Sequence, residues 1–180
     1  MGDRAHVVIE RTDALDDHPP LYIYVHNAGT VLPELTAAAL DRARGDPTEH
    51  NRHGRLRSPS YTTRAVVDEL TAWEVVTAYN HELDDYNSAH MRGVGISSTY
   101  VDRSDGRREV RLLWDDAREV PPTVTLVNYE YATHEYDVAD FITEYAAESP
   151  YTRLMDDAGY TDDTTMDEFR ERFRLEATHE

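Results

Sequence analysis

The chain has 180 residues, enough for one domain with a full apolar core and too few for two domains of ordinary size. Acidic residues number 36 and basic residues 18, a formal net charge of −18, and every basic residue is arginine. Molar salt shortens the Debye length to about 3 Å and screens such self-repulsion, which dilute buffer does not. The charge therefore indicates a halophilic protein of an archaeal, high-salt cytoplasm; an acidic protein from a GC-rich genome is the alternative.

The chain contains no cysteine, which excludes a disulfide framework, a thiolate metal site and a thiol nucleophile. Its first residues hold no apolar segment of the kind found in secretory signals, and no stretch approaches the roughly 18 apolar residues of a membrane-spanning helix. We therefore expect a soluble protein without a membrane partner, either cytoplasmic or packaged in a virion assembled inside the cell.

Two strands and a helix are predicted at the start of the chain. Residues 5–11 form a β-branched run and residues 21–26 follow a polar turn, so the two strands are expected to pair as a hairpin. A helix is predicted over residues 31–44, with Pro33 tolerated in its first turn. The side chains of the second strand alternate, with Leu21, Ile23 and Val25 on one face and Tyr22, Tyr24 and His26 on the other.

A second helix is predicted over residues 60–80, where apolar side chains recur at helical spacing. We expect these two helices to cover one face of the sheet. The side chains expected at the contact between them are Leu35, Ala39, Leu70 and Trp73.

Further strands are predicted in the second half of the chain. Residues 92–115 alternate on both sides of the turn dipeptide Asp105-Gly106, which is typical of a β-hairpin. Residues 123–131 are rich in threonine, valine and tyrosine and predict a fifth strand. A helix follows from Asp137 to about residue 147, with Asp140 placing a carboxylate near its N-terminus.

The C-terminal end, residues 137–180, carries 13 carboxylates against four arginines. Within it Thr165 and Glu168 match a capping box that would open a last helix. The predicted organisation is a core domain over residues 1–136 with this acidic helical segment packed on it, a single domain overall. Its class is α+β, a mainly antiparallel sheet of about five strands in the order β-β-α-α-β-β-β-α-α, covered by two helices.

The strand-to-helix turn carries a resemblance. Residues 24–30 read Tyr-Val-His-Asn-Ala-Gly-Thr, followed by Val-Leu-Pro-Glu-Leu-Thr. This pattern resembles a family of small uncharacterised proteins of tailed phages and mobile elements, in which a strand ends in a His-Trp-Asp-Gly-Tyr-Pro-like turn before a helix. The likeness extends through residues 60–73 and 93–96, and Asn27 and Ala28 stand where the family has Trp-Asp. The resemblance implies a fold and a mobile-element setting, not a reaction.

The same turn is the first candidate site. His26, Asn27 and Gly29 lie where a helix N-terminus could bind an anionic group with help from the imidazole. The alternative is that His26 bonds to a neighbouring backbone group or stacks on Tyr24. Pro33 counts against an anion site, since it removes one N–H donor.

A second candidate is the densest group of ligand-type side chains. It comprises His81, Glu82, Asp84, Asp85 and His90, which together suit a hard divalent cation. The spacing matches no metal motif of known mechanics, and acidic clusters arise by chance in a chain this acidic. No other cofactor is predicted.

A third candidate is residues 42–64, called here the arginine-rich segment. It holds Arg42, Arg44, Arg52, Arg55, Arg57 and Arg64. Only Asp46 and Glu49 oppose them, a local excess of four positive charges in a chain of net charge −18. Guanidinium groups suit an acidic protein surface or nucleic-acid phosphates. High salt weakens phosphate contacts, so nucleic-acid binding would need apolar or stacking help, for which Tyr61 and Leu56 are the nearby candidates. The alternative is a solvated loop that pairs with the protein's own carboxylates.

No phosphate-binding glycine loop, nucleophile elbow or dinucleotide fingerprint occurs in the sequence, which disfavours several large enzyme classes. The leading hypothesis is a non-enzymatic accessory protein of a haloarchaeon or its virus or plasmid, binding a protein partner or, more weakly, nucleic acid through the arginine-rich segment. The alternatives are a metal-dependent hydrolase or nuclease built on residues 81–90, and a structural virion component. The sequence leaves the oligomeric state open.

Overall fold

The computed structural model describes residues 4–12, 19–26, 28–44, 56, 58–80, 94–98, 109–115, 122–127 and 132–146. These residues form six strands and three helices, which confirms the α+β class. The strands are β1 Ala5–Thr12, β2 Leu21–Val25, β3 Gly95–Ser97, β4 Glu109–Asp115, β5 Thr123–Val127 and β6 Thr133–Asp137. The helices are α1 Leu32–Arg44, α2 Pro59–Asn80 and α3 Val138–Tyr145.

The strands form one sheet in the order β3-β2-β1-β4-β5-β6. The predicted pairing of β1 with β2 is confirmed, with Val7 opposite Ile23 in an antiparallel register. The central pair, β1 with β4, is parallel and places Val7 beside Val110. The other neighbouring pairs of these six strands are antiparallel, so the sheet is mixed, with its parallel ladder at the centre.

The prediction that residues 92–115 form a hairpin is wrong. Its first strand, β3, pairs with β2 and places Ile96 opposite Ile23. Its second strand, β4, lies between β1 and β5, on the other side of the sheet centre. Alternation of apolar side chains specifies which face of a strand is buried, but it does not specify the neighbouring strand. The side chains of β4 therefore satisfy the same pattern beside β1.

A sixth strand that the sequence did not predict follows the fifth one. β5 spans Thr123–Val127, and β6 pairs antiparallel with it, placing Tyr136 opposite Val124. The sequence of β6, Thr-His-Glu-Tyr-Asp, lacks the apolar alternation typical of a half-buried strand. Most of its residues are exposed, which is compatible with its position as the last of the six described strands and explains why its pattern was not informative.

The apolar core lies on the helix-covered face of the sheet. Val7, Ile23 and Val110 share one row across the central strands and are fully buried. Strand side chains alternate between faces, so this row defines the face that meets the helices. The two helices pack against each other, and the side chains predicted at their contact are all buried in the same cluster: Leu35, Ala39, Leu70 and Trp73.

The short helix α3 closes one part of this core. Asp137 occupies its N-cap position, but its side chain makes no capping hydrogen bond. Asp140 lies in the first turn as expected, and Phe141 and Ile142 are buried in the same cluster as the first two helices. The helix predicted around residues 165–175 lies outside the described residues, and the proposed boundary near residue 137 stays a prediction.

Candidate functional site

The structure describes three of the six arginines in the arginine-rich segment. Arg42 and Arg44 lie in the last turn of α1, and Arg64 lies near the start of α2. The remaining three, Arg52, Arg55 and Arg57, lie outside the described residues. Half of the arginines of the segment therefore lie on its two helical ends, in α1 and α2.

Arg42 is an internal tie between the two helices. Its Nη2 donates a hydrogen bond of 2.9 Å to the carbonyl oxygen of Ala65. Its Nη1 lies 3.0 Å from a carboxylate oxygen of Glu69, whose side chain is fully buried. A buried carboxylate needs a nearby cation, because burial removes the water that would otherwise solvate its charge. Arg42 thus fixes the end of α1 against α2, and only part of its guanidinium faces solvent.

Arg64 is bound far more loosely. Its Nε lies 3.8 Å from the carboxylate of Asp68, one turn along the same helix, and 80% of its side chain is exposed. Exposed ion pairs of this kind contribute little to stability because water screens them. Tyr61, three residues earlier, is 59% exposed, whereas Leu56 packs against the core. Of the two apolar or stacking candidates suggested by the sequence, Tyr61 is therefore exposed and Leu56 is partly buried.

The strand-to-helix turn is held by a buried carboxylate. The backbone N–H of His26 donates a 2.6 Å hydrogen bond to Oε1 of Glu74, a fully buried residue of α2. Nδ1 of His26 lies 3.2 Å from the hydroxyl of Tyr24, and the two rings meet edge to face, as the alternative for His26 expected. Gly29 is buried, and Asn27 lies outside the described residues. Anion binding at this turn stays a prediction, and the backbone N–H of His26 already has Glu74 as its partner.

Neither Glu69 nor Glu74 was singled out from the sequence. One residue in five of this chain is acidic, so a carboxylate alone attracts no notice. A signal was nevertheless present, since Glu69 lies four residues before Trp73 and Glu74 four residues after Leu70, a spacing that places both on the predicted apolar face. A carboxylate on the buried side of a helix calls for a specific partner. Those partners are the Arg42 guanidinium and the His26 amide.

An ionic network occupies the opposite face of the sheet. Arg111 donates from Nε to Oε1 of the fully buried Glu109, and its Nη1 lies 3.1 Å from Oε1 of Glu10. The other oxygen of Glu109 accepts no hydrogen bond from the residues that the structure describes. His6 lies beside Glu109 in the register of β1 with β4, and its ring centroid is 5.3 Å from that of Tyr24. Two carboxylates against one guanidinium make the network net negative, which would repel nucleic-acid phosphates.

A group of aromatic hydroxyls lies where α3 meets β6. The hydroxyls of Tyr136 and Tyr145 are 3.2 Å apart, and Glu144 accepts a longer contact of 3.4 Å from Tyr136. Burial raises the pKa of Tyr145 well above its ordinary value, and hydrogen bonds with Tyr136 and Glu144 raise it further. Tyr145 therefore holds its proton more tightly in the folded protein.

The predicted metal ligands His81, Glu82, Asp84 and His90 lie outside the described residues, so a cation there stays a prediction. Among the residues that are described, no three His, Asp or Glu side chains converge in a way that could hold a metal ion. The described helices include none that is long and apolar enough to cross a membrane. No protein-family model, curated protein or solved structure matches this chain.

Proposed function

We propose that this protein is a non-enzymatic interaction protein of a haloarchaeon or of its virus or plasmid, and that it binds an acidic protein partner through the arginine-rich segment. The charge of that segment supports the proposal. It carries an excess of four positive charges within a chain of net charge −18. Because the rest of the chain would repel an acidic partner, a local reversal of sign gives such a partner one preferred place to bind.

The observation that carries the proposal is the tie made by Arg42. It joins the last turn of α1 to Ala65 and Glu69 of α2, so the helices at the two ends of the segment are fixed to each other. A segment whose ends are fixed loses less conformational freedom on binding than one attached at a single end. Arg42 acts as the anchor, and the proposal assigns the contacts with the partner to Arg44, Arg52, Arg55 and Arg57.

The high salt concentration expected in the cytoplasm favours a protein partner over nucleic acid. Affinity for nucleic acid falls steeply with salt concentration, because each phosphate contact releases condensed counterions. A guanidinium binds carboxylates and phosphates alike through two parallel hydrogen bonds, but the condensed counterion layer is a property of the nucleic-acid backbone. In molar KCl the same arginines would therefore retain more affinity for an acidic protein surface.

The test replaces Arg52, Arg55 and Arg57 together by glutamate and compares capture of partners from an extract of the cells that carry the gene, in molar KCl. A control variant with Arg170, Arg172 and Arg174 changed to glutamate has the same net charge. We expect the first variant to lose a partner that the wild type and the control both retain, as identified by mass spectrometry. Nuclease treatment of the extract shows whether nucleic acid is the bound species.

Two results would contradict the proposal. One is capture that is unchanged in the variant of residues 52, 55 and 57. The other is capture that nuclease abolishes, which would assign the segment to nucleic acid. Unchanged capture together with a stoichiometric metal in the wild type would instead favour the metal-dependent hydrolase or nuclease.

We also propose that the fold itself requires high salt. Its carboxylates outnumber its arginines two to one, and their repulsion is screened only when the Debye length becomes as short as a contact distance. Far-ultraviolet circular dichroism should show cooperative folding in about 2 M KCl and loss of structure in dilute buffer. Equal stability in both media would contradict the halophilic assignment without affecting the test of the arginine-rich segment.

A further inference from the structure

The outward side of α2 carries a stripe of exposed side chains. Tyr61, Arg64 and Asp68 lie at positions i, i+3 and i+7, which share one face of a helix. Their exposure fits that geometry: Tyr61 is 59% exposed, and the side chains of Arg64 and Asp68 are 80% and 46% exposed. The buried residues Val66 and Leu70 lie on the opposite side of the same helix.

Small side chains flank this stripe. Ala65 and Ala72 are spaced by seven residues, about two helical turns, and both are partly buried. At about 100° per residue they lie on the same side as Tyr61 and Asp68. Both also pack against the protein's own core, so they bound the stripe and leave Tyr61, Arg64 and Asp68 as its exposed part.

The charges of the stripe complement themselves under two-fold symmetry. Arg64 and Asp68 each lie two residues, or about 3 Å along the axis, from residue 66. If two copies of α2 cross antiparallel at residue 66, Arg64 of each copy faces Asp68 of the other. The same operation places Tyr61 against Thr71 and Ala72 of the second copy. A parallel arrangement would instead bring like charges together, which is unfavourable.

We propose that this protein forms a symmetric dimer in which α2 packs antiparallel on α2 of a second copy, joined by two reciprocal Arg64–Asp68 pairs and the Tyr61 ring. A second copy fits the stripe better than an acidic partner does, because Asp68 would repel the latter. The inference goes beyond the proposed function, since it assigns Arg64 to a contact with a second copy, whereas the contacts with the acidic partner are assigned to other arginines of the segment. Long-range repulsion between two copies of net charge −18 is screened in molar salt, whereas pairs buried at an interface are screened much less.

The test uses Arg64→Asp and Asp68→Arg in the full chain, studied by sedimentation equilibrium in molar KCl. Each variant alone has like charges across the interface and should dimerise at least about tenfold more weakly than the wild type. An equimolar mixture of the two restores both pairs between chains, because the carboxylates at positions 64 and 68 of the first variant face the guanidinium groups at positions 68 and 64 of the second. We expect the mixture to form a heterodimer with an affinity near that of the wild type.

The mixing experiment also distinguishes charge pairs between two chains from the pair of Arg64 with Asp68 within one helix. Within each variant helix, residues 64 and 68 keep like charges whether or not the other variant is present, so a purely intrahelical pair predicts no recovery. As a control, far-ultraviolet circular dichroism should show that both variants keep the helix content of the wild type. A wild type that stays monomeric at about 1 mM, single variants that dimerise like the wild type, or a mixture that stays monomeric would each overturn the proposal.

Discussion

The two faces of the six-stranded sheet are stabilised in different ways. On the helix-covered face, Val7, Ile23 and Val110 lie in one buried row, where burial of apolar area supplies the free energy. On the opposite face the neighbouring row places His6 beside Glu109, whose buried carboxylate depends on the guanidinium of Arg111. One face thus depends on many weak contacts and the other on a few specific pairs. The cost of a substitution should therefore follow the apolar area removed on the first face, and on the second face whether a buried charge loses its partner.

The largest expected effect is loss of a large side chain from the helix-covered face. Trp73 is buried in the cluster between α2 and the sheet, so Trp73→Ala should lower the free energy of unfolding by about 3–5 kcal/mol, through lost burial and the cavity left behind. Leu113 is the control, because it lies on the opposite face and is 37% exposed. Leu113→Ala should cost about 1 kcal/mol or less. Denaturant titration in molar KCl measures both changes, and similar costs would show that the faces are assigned wrongly.

The next effect concerns the pairs of the opposite face. Arg111→Met leaves Glu109 buried without its cation, which should cost about 2 kcal/mol, less than a fully buried pair because 34% of the Arg111 side chain is exposed. Glu10→Gln, which leaves the buried pair intact, is the control and should cost less. The double variant Arg111→Met/Glu109→Met should recover stability relative to Arg111→Met alone, because it removes the stranded charge. A double variant less stable than Arg111→Met would contradict the dependence of this face on pairing.

The contrast between the faces also explains what the sequence could predict. Apolar alternation and helical spacing located β1, β2, α1 and α2 and their shared core, because those elements bury a continuous apolar face. The same patterns placed β4 beside the wrong neighbour, since parallel and antiparallel partners bury that face equally well. Strand β6 was missed because its side chains are mostly polar. Tertiary pairing is the information that local periodicity lacks.

The candidate site was predictable only in part. The charge excess of the arginine-rich segment is visible in the composition, but the different roles of Arg42 and Arg64 are not. Arg42 is tied internally because it meets Glu69 across the contact of two helices, a meeting that depends on how α1 packs against α2. Arg64 pairs with a neighbour on its own helix and stays at the surface. Two arginines of the same segment thus differ in role for a reason that lies in packing.

The smallest predicted effect is a pH dependence of stability, which arises at the edge of the helix-covered face. Tyr136 lies on that face beside Val124, and its hydroxyl meets that of Tyr145 on α3. Burial and these hydrogen bonds raise the pKa of Tyr145, so the folded state holds its proton more tightly than the unfolded chain does. The resulting stabilisation is fully present below the ordinary tyrosine pKa of about 10 and declines as the pH rises above it, because the unfolded state ionises first.

Tyr145→Phe should therefore flatten the fall in unfolding free energy above about pH 10, since phenylalanine has no proton to lose. Denaturant titrations across a pH series, at constant molar KCl, give that slope for the variant and the wild type. Phe141→Leu is the matched control, because its ring centroid lies 4.9 Å from that of Tyr145 in the same cluster and it carries no ionisable group. It should lower stability by a similar amount at every pH and leave the slope unchanged. If Tyr145→Phe leaves the alkaline fall in unfolding free energy unchanged, ionisation of other groups governs that fall. The edge of the helix-covered face would then be as insensitive to pH as its apolar centre.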